Sequence, residues 1–131
     1  MRLATGLVVL LGVAATVVVA RALPPEQGQH DWLDADGDRW RGLSPEARMA
    51  YTEGFLVGAA VGQAAAGAPE GDSAAVGRTL DSVARAGLRF PYAPNVYGAR
   101  IDDYFWWENH RTLPIWHAFE EVNHDLKRMS R

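Results

Sequence analysis

The chain has 131 residues, 13 Lys+Arg against 16 Asp+Glu, 48% hydrophobic residues and no cysteine. That length holds one small domain, and the missing cysteines exclude disulfide scaffolds, thiolate zinc sites and cysteine nucleophiles together. Charged residues at 22% beside this apolar content exclude wholesale disorder.

Met1-Arg2 is a short positive start, followed from Leu3 to Ala20 by an unbroken run of apolar, small or Thr residues and then by Ala20-Arg21-Ala22. A charged start, an apolar stretch and an A-x-A site describe a secretory signal peptide. The run is also close to the roughly 20 residues that span a bilayer. Residues 1–22 are therefore read as a cleaved signal peptide or a retained N-terminal membrane anchor. Both place the rest of the chain outside the cytoplasm, periplasmic or secreted, touching the membrane only through residues 3–20 if they remain. Without Arg2 and Arg21 the remainder is more acidic still, which excludes the basic footprint that nucleic acid requires.

Residues 23–43 form an irregular acidic lead-in, with Pro24, Pro25, Glu26, Asp31, Asp34, Asp36 and Asp38 among them, pinned by Trp32, Leu33 and Trp40. The helical domain is expected over 44–128. Ser44-Pro45-Glu46 is a helix start, with a capping hydroxyl, Pro at the first helical position and an acid in the first turn. This helix runs to about Ala66, with Tyr51, Phe55, Gly58 and Gly62 on one face. Gly54, Gly58 and Gly62 make a small-xxx-small ladder. Each glycine costs about 1 kcal/mol of helix propensity relative to Ala, so close packing by another backbone is expected there. That backbone belongs to another helix of the same chain or, in a homodimer, to a second copy.

Gly67 to Gly71 is a turn, and Asp72 or Ser73 caps a helix to about Ala86 with Val76, Leu80 and Val83 inward and Gly87 as its stop. Leu88 to Pro94 reads as an ordered loop. Asn95 caps a helix over about 96–108 that shares Tyr97, Ile101, Tyr104 and Phe105 on one face, and Asn109 suits a left-handed helix end. Thr112-Leu113-Pro114 opens a last helix to about Arg128, with Ile115, Ala118, Phe119, Val122 and Leu126 inward. No segment reads as a strand. The fold class is all-α: a small bundle of about four helices behind the N-terminal segment.

Candidate chemistry is sparse. Asp34-Ala-Asp36-Gly-Asp38 begins like a calcium loop, but Gly37 comes too early, Arg39 and Arg41 intrude, and Pro45 falls where a bidentate Glu belongs. Glu121-Val-Asn-His124 has the spacing of di-metal bundles, which use that motif twice with two further acids. Here it occurs once, and His117, Glu120 and His124 fall on the outer face. No serine lies in a nucleophile elbow, and no glycine loop precedes a helix to cradle phosphate. No catalytic residue, metal site or cofactor is assigned.

Aromatic residues carry more information. Tyr104-Phe105-Trp106-Trp107 sets four rings in a row, and Trp106 lies far from the core stripe, either covered by Trp32 or Leu33 or marking a contact surface. Asn109 and Arg111 fall in the turn between the last two helices, Arg111 facing water or pairing with Asp102 or Asp103. Trp106, Trp107, Asn109 and Arg111 are the candidate binding residues.

The order Gly37-x-x-Trp40, Leu43-Ser44, Tyr51-x-x-Gly54-Phe55-x-x-Gly58, Ile101-Asp102-x-Tyr104-Phe105, Asn109, Leu113-Pro114-Ile115 and Ala118 resembles a group of short exported bacterial proteins of unknown function. The resemblance spans about residues 37–122 and implies a helical fold and export, with no activity to carry over. A more distant likeness is to the periplasmic immunity proteins that neutralise type VI secretion amidases, although those are expected to carry cysteines. The functional expectation is a non-enzymatic interaction module of the bacterial envelope that binds an envelope or secreted protein, or itself. Immunity to an exported toxin is the first alternative, and a metal-dependent enzyme using His117, Glu121 and His124 the second.

Overall fold

The computed structural model describes residues 32–131, so residues 1–22, expected to be a signal peptide or membrane anchor, lie outside the described residues, as does the first part of the lead-in. The described chain is an all-α bundle: α1 (Gly37–Arg41), α2 (Pro45–Ala65), α3 (Ser73–Ala86), α4 (Pro94–Tyr104), a 3-10 turn over Glu108–His110, and α5 (Ile115–Met129). No strand occurs among these residues; the nearest thing is an isolated bridge between Asp36 and Pro114. No described helix is long and apolar enough to cross a membrane.

The expected caps of the second and third elements form. Ser44 Oγ accepts the amide of Ala47 at 3.2 Å and Asp72 Oδ1 accepts that of Ala75 at 2.8 Å, each satisfying an amide that has no partner within its own helix. Gly87 ends α3 with φ +130, a conformation that side-chain-bearing residues rarely adopt.

Three boundaries differ from the sequence expectation. The lead-in is not irregular throughout: Asp36 accepts the Arg39 amide at 3.0 Å and starts the short α1. Helix α4 starts at Pro94, not at a cap on Asn95, with Ala93 extended before it; proline's fixed φ and missing N–H suit a first turn. It also stops at Tyr104. The backbone leaves the helix at Phe105 and is extended at Trp107, which lets the chain turn back within a few residues. Asn109 sits inside the 3-10 turn, and no described residue other than glycine has a positive φ. The last helix opens directly after Pro114 and runs one residue beyond Arg128.

The inward stripes are where 3.6-residue spacing puts them. Tyr97, Ile101 and Phe105 of the α4 region and Ile115, Ala118, Phe119, Val122 and Leu126 of α5 are buried together with Trp40 and Phe90. Phe55 of α2 stacks on Phe119, with ring centroids 3.8 Å apart, and Phe90 meets both Phe55 and Tyr97 edge-on. Such offset and edge contacts add about 0.5–1.5 kcal/mol each beyond the area they bury.

The glycine ladder is not packed against any described part of the chain. A Cβ added at Gly54, Gly58 or Gly62 would meet nothing within 4 Å, all three glycines are exposed, and Val57 beside them is 63% exposed. Helix α2 instead buries Thr52 and Ala64 and packs the partly buried Tyr51, Phe55, Leu56 and Ala59 against the core. Its close approach to α4 uses Thr52 and Gly98, where a Cβ on Gly98 would lie 3.8 Å from Thr52 Oγ1. The expected intramolecular contact at the ladder is therefore replaced by this pair. A single hydroxyl turned back onto its own helix, Thr52 Oγ1 to the Arg48 carbonyl at 2.8 Å, removes the polar cost of burying that threonine.

Candidate functional site

Most of the motif residues hold the fold. Gly37 begins α1 against the end of α4: a Cβ there would fall 2.7 Å from a Phe105 ring carbon and 2.9 Å from the Arg111 carbonyl oxygen. That closeness requires glycine for space. Trp40 is fully buried, and its Nε1 donates to Asp102 at 2.8 Å. The same carboxylate oxygen takes Arg48 at 3.0 Å. Arg48 in turn donates to the carbonyls of Trp40 and Arg41, tying α2 to the carboxyl end of α1.

Arg111 faces neither Asp102 nor Asp103. It donates through Nε to Asp38 at 2.6 Å and pairs more loosely with Glu108 at 3.9 Å. The reason is backbone pairing: the Asp38 amide donates to the Arg111 carbonyl and the Ile115 amide to that of Ala35, so residues 35–38 run beside 111–115. Asp36 and Asp38 are thus occupied by a cap and an ion pair, and do not converge as calcium ligands would. Among the described residues no three His, Cys, Asp or Glu side chains stand close enough to share a metal ion. His117 approaches Glu121 at 4.0 Å, while His124 lies exposed beside Asp125.

What remains open is a groove between α4 with its following turn and the second half of α5. It encloses about 500 Å³ and is lined by Tyr104, Trp107, His110, Val122, Leu126 and Met129, with Arg100, Asp103, Asp125 and Arg128 also contributing. Its aromatic wall is built in sequence. The His110 ring stacks on Tyr104 with centroids 4.2 Å apart, and His110 Nδ1 donates to the Tyr104 carbonyl at 2.9 Å. A carbonyl can only accept, so Nδ1 carries the proton of this bond. The Tyr104 hydroxyl pairs with His117 Nδ1 at 3.3 Å; burial and the nearby Glu121 charge both raise its pKa above the ordinary value. The groove therefore offers rings, aliphatic surface and opposed charges, without an assembled nucleophile and base.

The four candidate binding residues separate. Trp107 is 64% exposed and lines the groove. Trp106 is 76% exposed, so neither Trp32 nor Leu33 covers it. Asn109 is exposed in the 3-10 turn, and Arg111 is committed to Asp38. Sequence reasoning missed Trp116, which is 47% exposed at the start of α5 and meets His117 edge-on. Its position one residue after the inward Ile115 was the available signal. It also missed Tyr104 and His110 as a wall, since their contact depends on α4 ending where it does.

No protein family, curated protein or solved structure matches the chain.

Proposed function

We propose that this protein is an exported, non-enzymatic interaction module of the bacterial envelope, periplasmic or secreted, that binds a protein partner in the groove between α4 and α5. The observation that carries this reading is Trp107, an exposed indole on the wall of a groove whose other surfaces are Tyr104, His110, Leu126 and Met129. Aromatic residues, Met and Arg are the types enriched where protein interfaces concentrate their energy, and a partly apolar groove ringed by charges matches the core-and-rim pattern of such contacts. The test is a photo-crosslinking pull-down from envelope extract, with the reactive group at position 129 on the α5 wall of the groove, where Met129 is exposed. A specific adduct that disappears in the Trp107→Ala chain, whose helical content is unchanged, supports the reading. Uniform labelling, or none above the variant's background, overturns it.

Self-association is the second reading, favoured by the open stripe of Gly54, Gly58 and Gly62 beside exposed Val57 and Val61. Glycines at this spacing let two helix backbones approach closely. The oligomeric state of the chain and of its ladder variants tests it.

A further inference from the structure

Helix α4 has two long sides. One faces α2: a Cβ on Gly98 would sit 3.8 Å from Thr52 Oγ1, and Asp102 takes Arg48 at 3.0 Å. Arg100, two residues from each and so about 200° around the helix in either direction, lines the groove together with Asp103 and Tyr104 and, beyond the helix end, Trp107. Helix α5 divides in the same way. Phe119 meets the Tyr51 and Phe55 rings of α2, whereas Val122, Asp125, Leu126 and Met129 line the groove. Helix α2 therefore lies against both α4 and α5 on one face of the pair, and the groove is the corresponding space on the other face.

The walls decide what conformation fits there. On α5 the lining residues recur at i, i+3, i+4 and i+7, a stripe about 10 Å long. Val122 and Leu126 are buried in the floor, while Trp107 and Met129 stand 64% and 63% exposed. Backbone pairing is not on offer: α5 is helical along the groove, and at the end of α4 the Ile101, Asp103 and Tyr104 carbonyls are taken by Phe105, Trp106 and His110. An extended segment would bury its own amides and carbonyls against apolar side chains, whereas a helix satisfies them internally. Around the floor the charges are mixed on each wall, Arg100 with Asp103 and Asp125 with Arg128. Arg100 and Asp103 form no ion pair among the described residues, so both are open to charges brought by a partner.

We propose that the occupant of the groove is an amphipathic helix of another protein, laid against α4 and α5 as α2 is on the far face. Its apolar residues at helical spacing enter between Trp107 and Met129, and charges of both signs flank them to meet Arg100 and Asp103. The inference rests on the groove being the partner-binding face.

The test places a diazirine amino acid at position 125 or 129 of the full chain, one helical turn and about 6 Å apart on the same wall. Each chain is photolysed in envelope extract, and the modified residue of the captured protein is mapped by tandem mass spectrometry. Expected are modified residues three or four apart in one protein, with both adducts weakened about tenfold or more in the Trp107→Ala chain. Modified residues about two apart, the spacing of an extended chain over the same distance at roughly 3.3 Å per residue, overturn the helix and leave the binding face in place. Adducts to a second copy of this chain overturn it as well. No adduct at either position above the Trp107→Ala background overturns the binding face itself, and this inference with it.

Discussion

The Trp40 indole N–H donates to the Asp102 carboxylate across 62 residues of sequence, at 2.8 Å. This bond joins α1 to α4 and, through the shared Arg48, to α2 as well. Trp40 itself is fully enclosed, in edge contact with Tyr51 and tilted against Phe105. A buried indole N–H without a partner costs about 1–3 kcal/mol, so Asp102→Ala should destabilise the domain by roughly that amount. Asp102→Asn keeps an acceptor oxygen and loses only the charge toward Arg48, a partly exposed pair worth about 0.2–1 kcal/mol. Urea unfolding of the two variants separates the contributions. Equal losses would mean that the ion pair, and not the indole bond, stabilises this corner.

Gly37→Ala should be costly for a steric reason. The added methyl would lie within 3 Å of both the Phe105 ring and the Arg111 carbonyl oxygen. The ring sits in the core and the carbonyl accepts the Asp38 amide, so neither neighbour yields cheaply. Overpacking of this kind costs about 1–3 kcal/mol. A denaturation midpoint unchanged from wild type would show that α1 can lift off without loss.

Helix type and inward faces were legible because each rests on local information. Val76, Leu80 and Val83, or Ile115, Phe119, Val122 and Leu126, recur at helical spacing whatever surrounds them. Ser44 and Asp72 announce their caps in the same way. What periodicity alone does not contain is the distance between residues far apart in the chain. Arg111 has Asp102 and Asp103 within ten residues, yet pairs with Asp38, because residues 35–38 lie against 111–115. The ladder of Gly54, Gly58 and Gly62 implied a close neighbour by its composition. Which helix face turns inward was decided by the aromatic side chains of Phe55 and Tyr51, and the glycines were left outside. The groove depends on α4 ending at Tyr104, a boundary governed by the loop that follows and not by helix propensity within Trp106-Trp107.

Stability should fall in alkali. The Tyr97 hydroxyl is enclosed and donates to Asn123 Oδ1 at 2.7 Å, while Asn123 Nδ2 donates to the Arg89 carbonyl. Burial pushes the Tyr97 pKa from 10.0 up to about 12. The folded state thus holds this proton more tightly than the unfolded chain does. The stabilisation is complete below about pH 10 and is lost progressively as pH rises from 10 towards 12. Tyr51 is shifted upward too, chiefly by burial, so part of the slope survives in Tyr97→Phe. Urea midpoints should decline more steeply between those pH values in wild type than in Tyr97→Phe. Parallel profiles would show that Tyr97 ionises as freely in the fold as outside it.

The ladder separates stability from association. Because a Cβ at Gly54, Gly58 or Gly62 meets open space, replacing each by Ala should stabilise the isolated helix α2 by about 0.8–1.0 kcal/mol through propensity alone, the opposite sign to Gly37→Ala. If a second copy packs on this stripe, the same methyl groups hold the two backbones apart and weaken the dimer. The triple variant should therefore unfold at higher urea when studied dilute, yet sediment as a smaller species than wild type at high concentration. An unchanged sedimentation profile with increased stability would remove the ladder as a dimer seam and leave it as an exposed apolar face of a monomer. A loss of stability on adding the methyls would instead mean that another segment of the chain packs on the glycines after all, restoring the intramolecular contact that their spacing suggests.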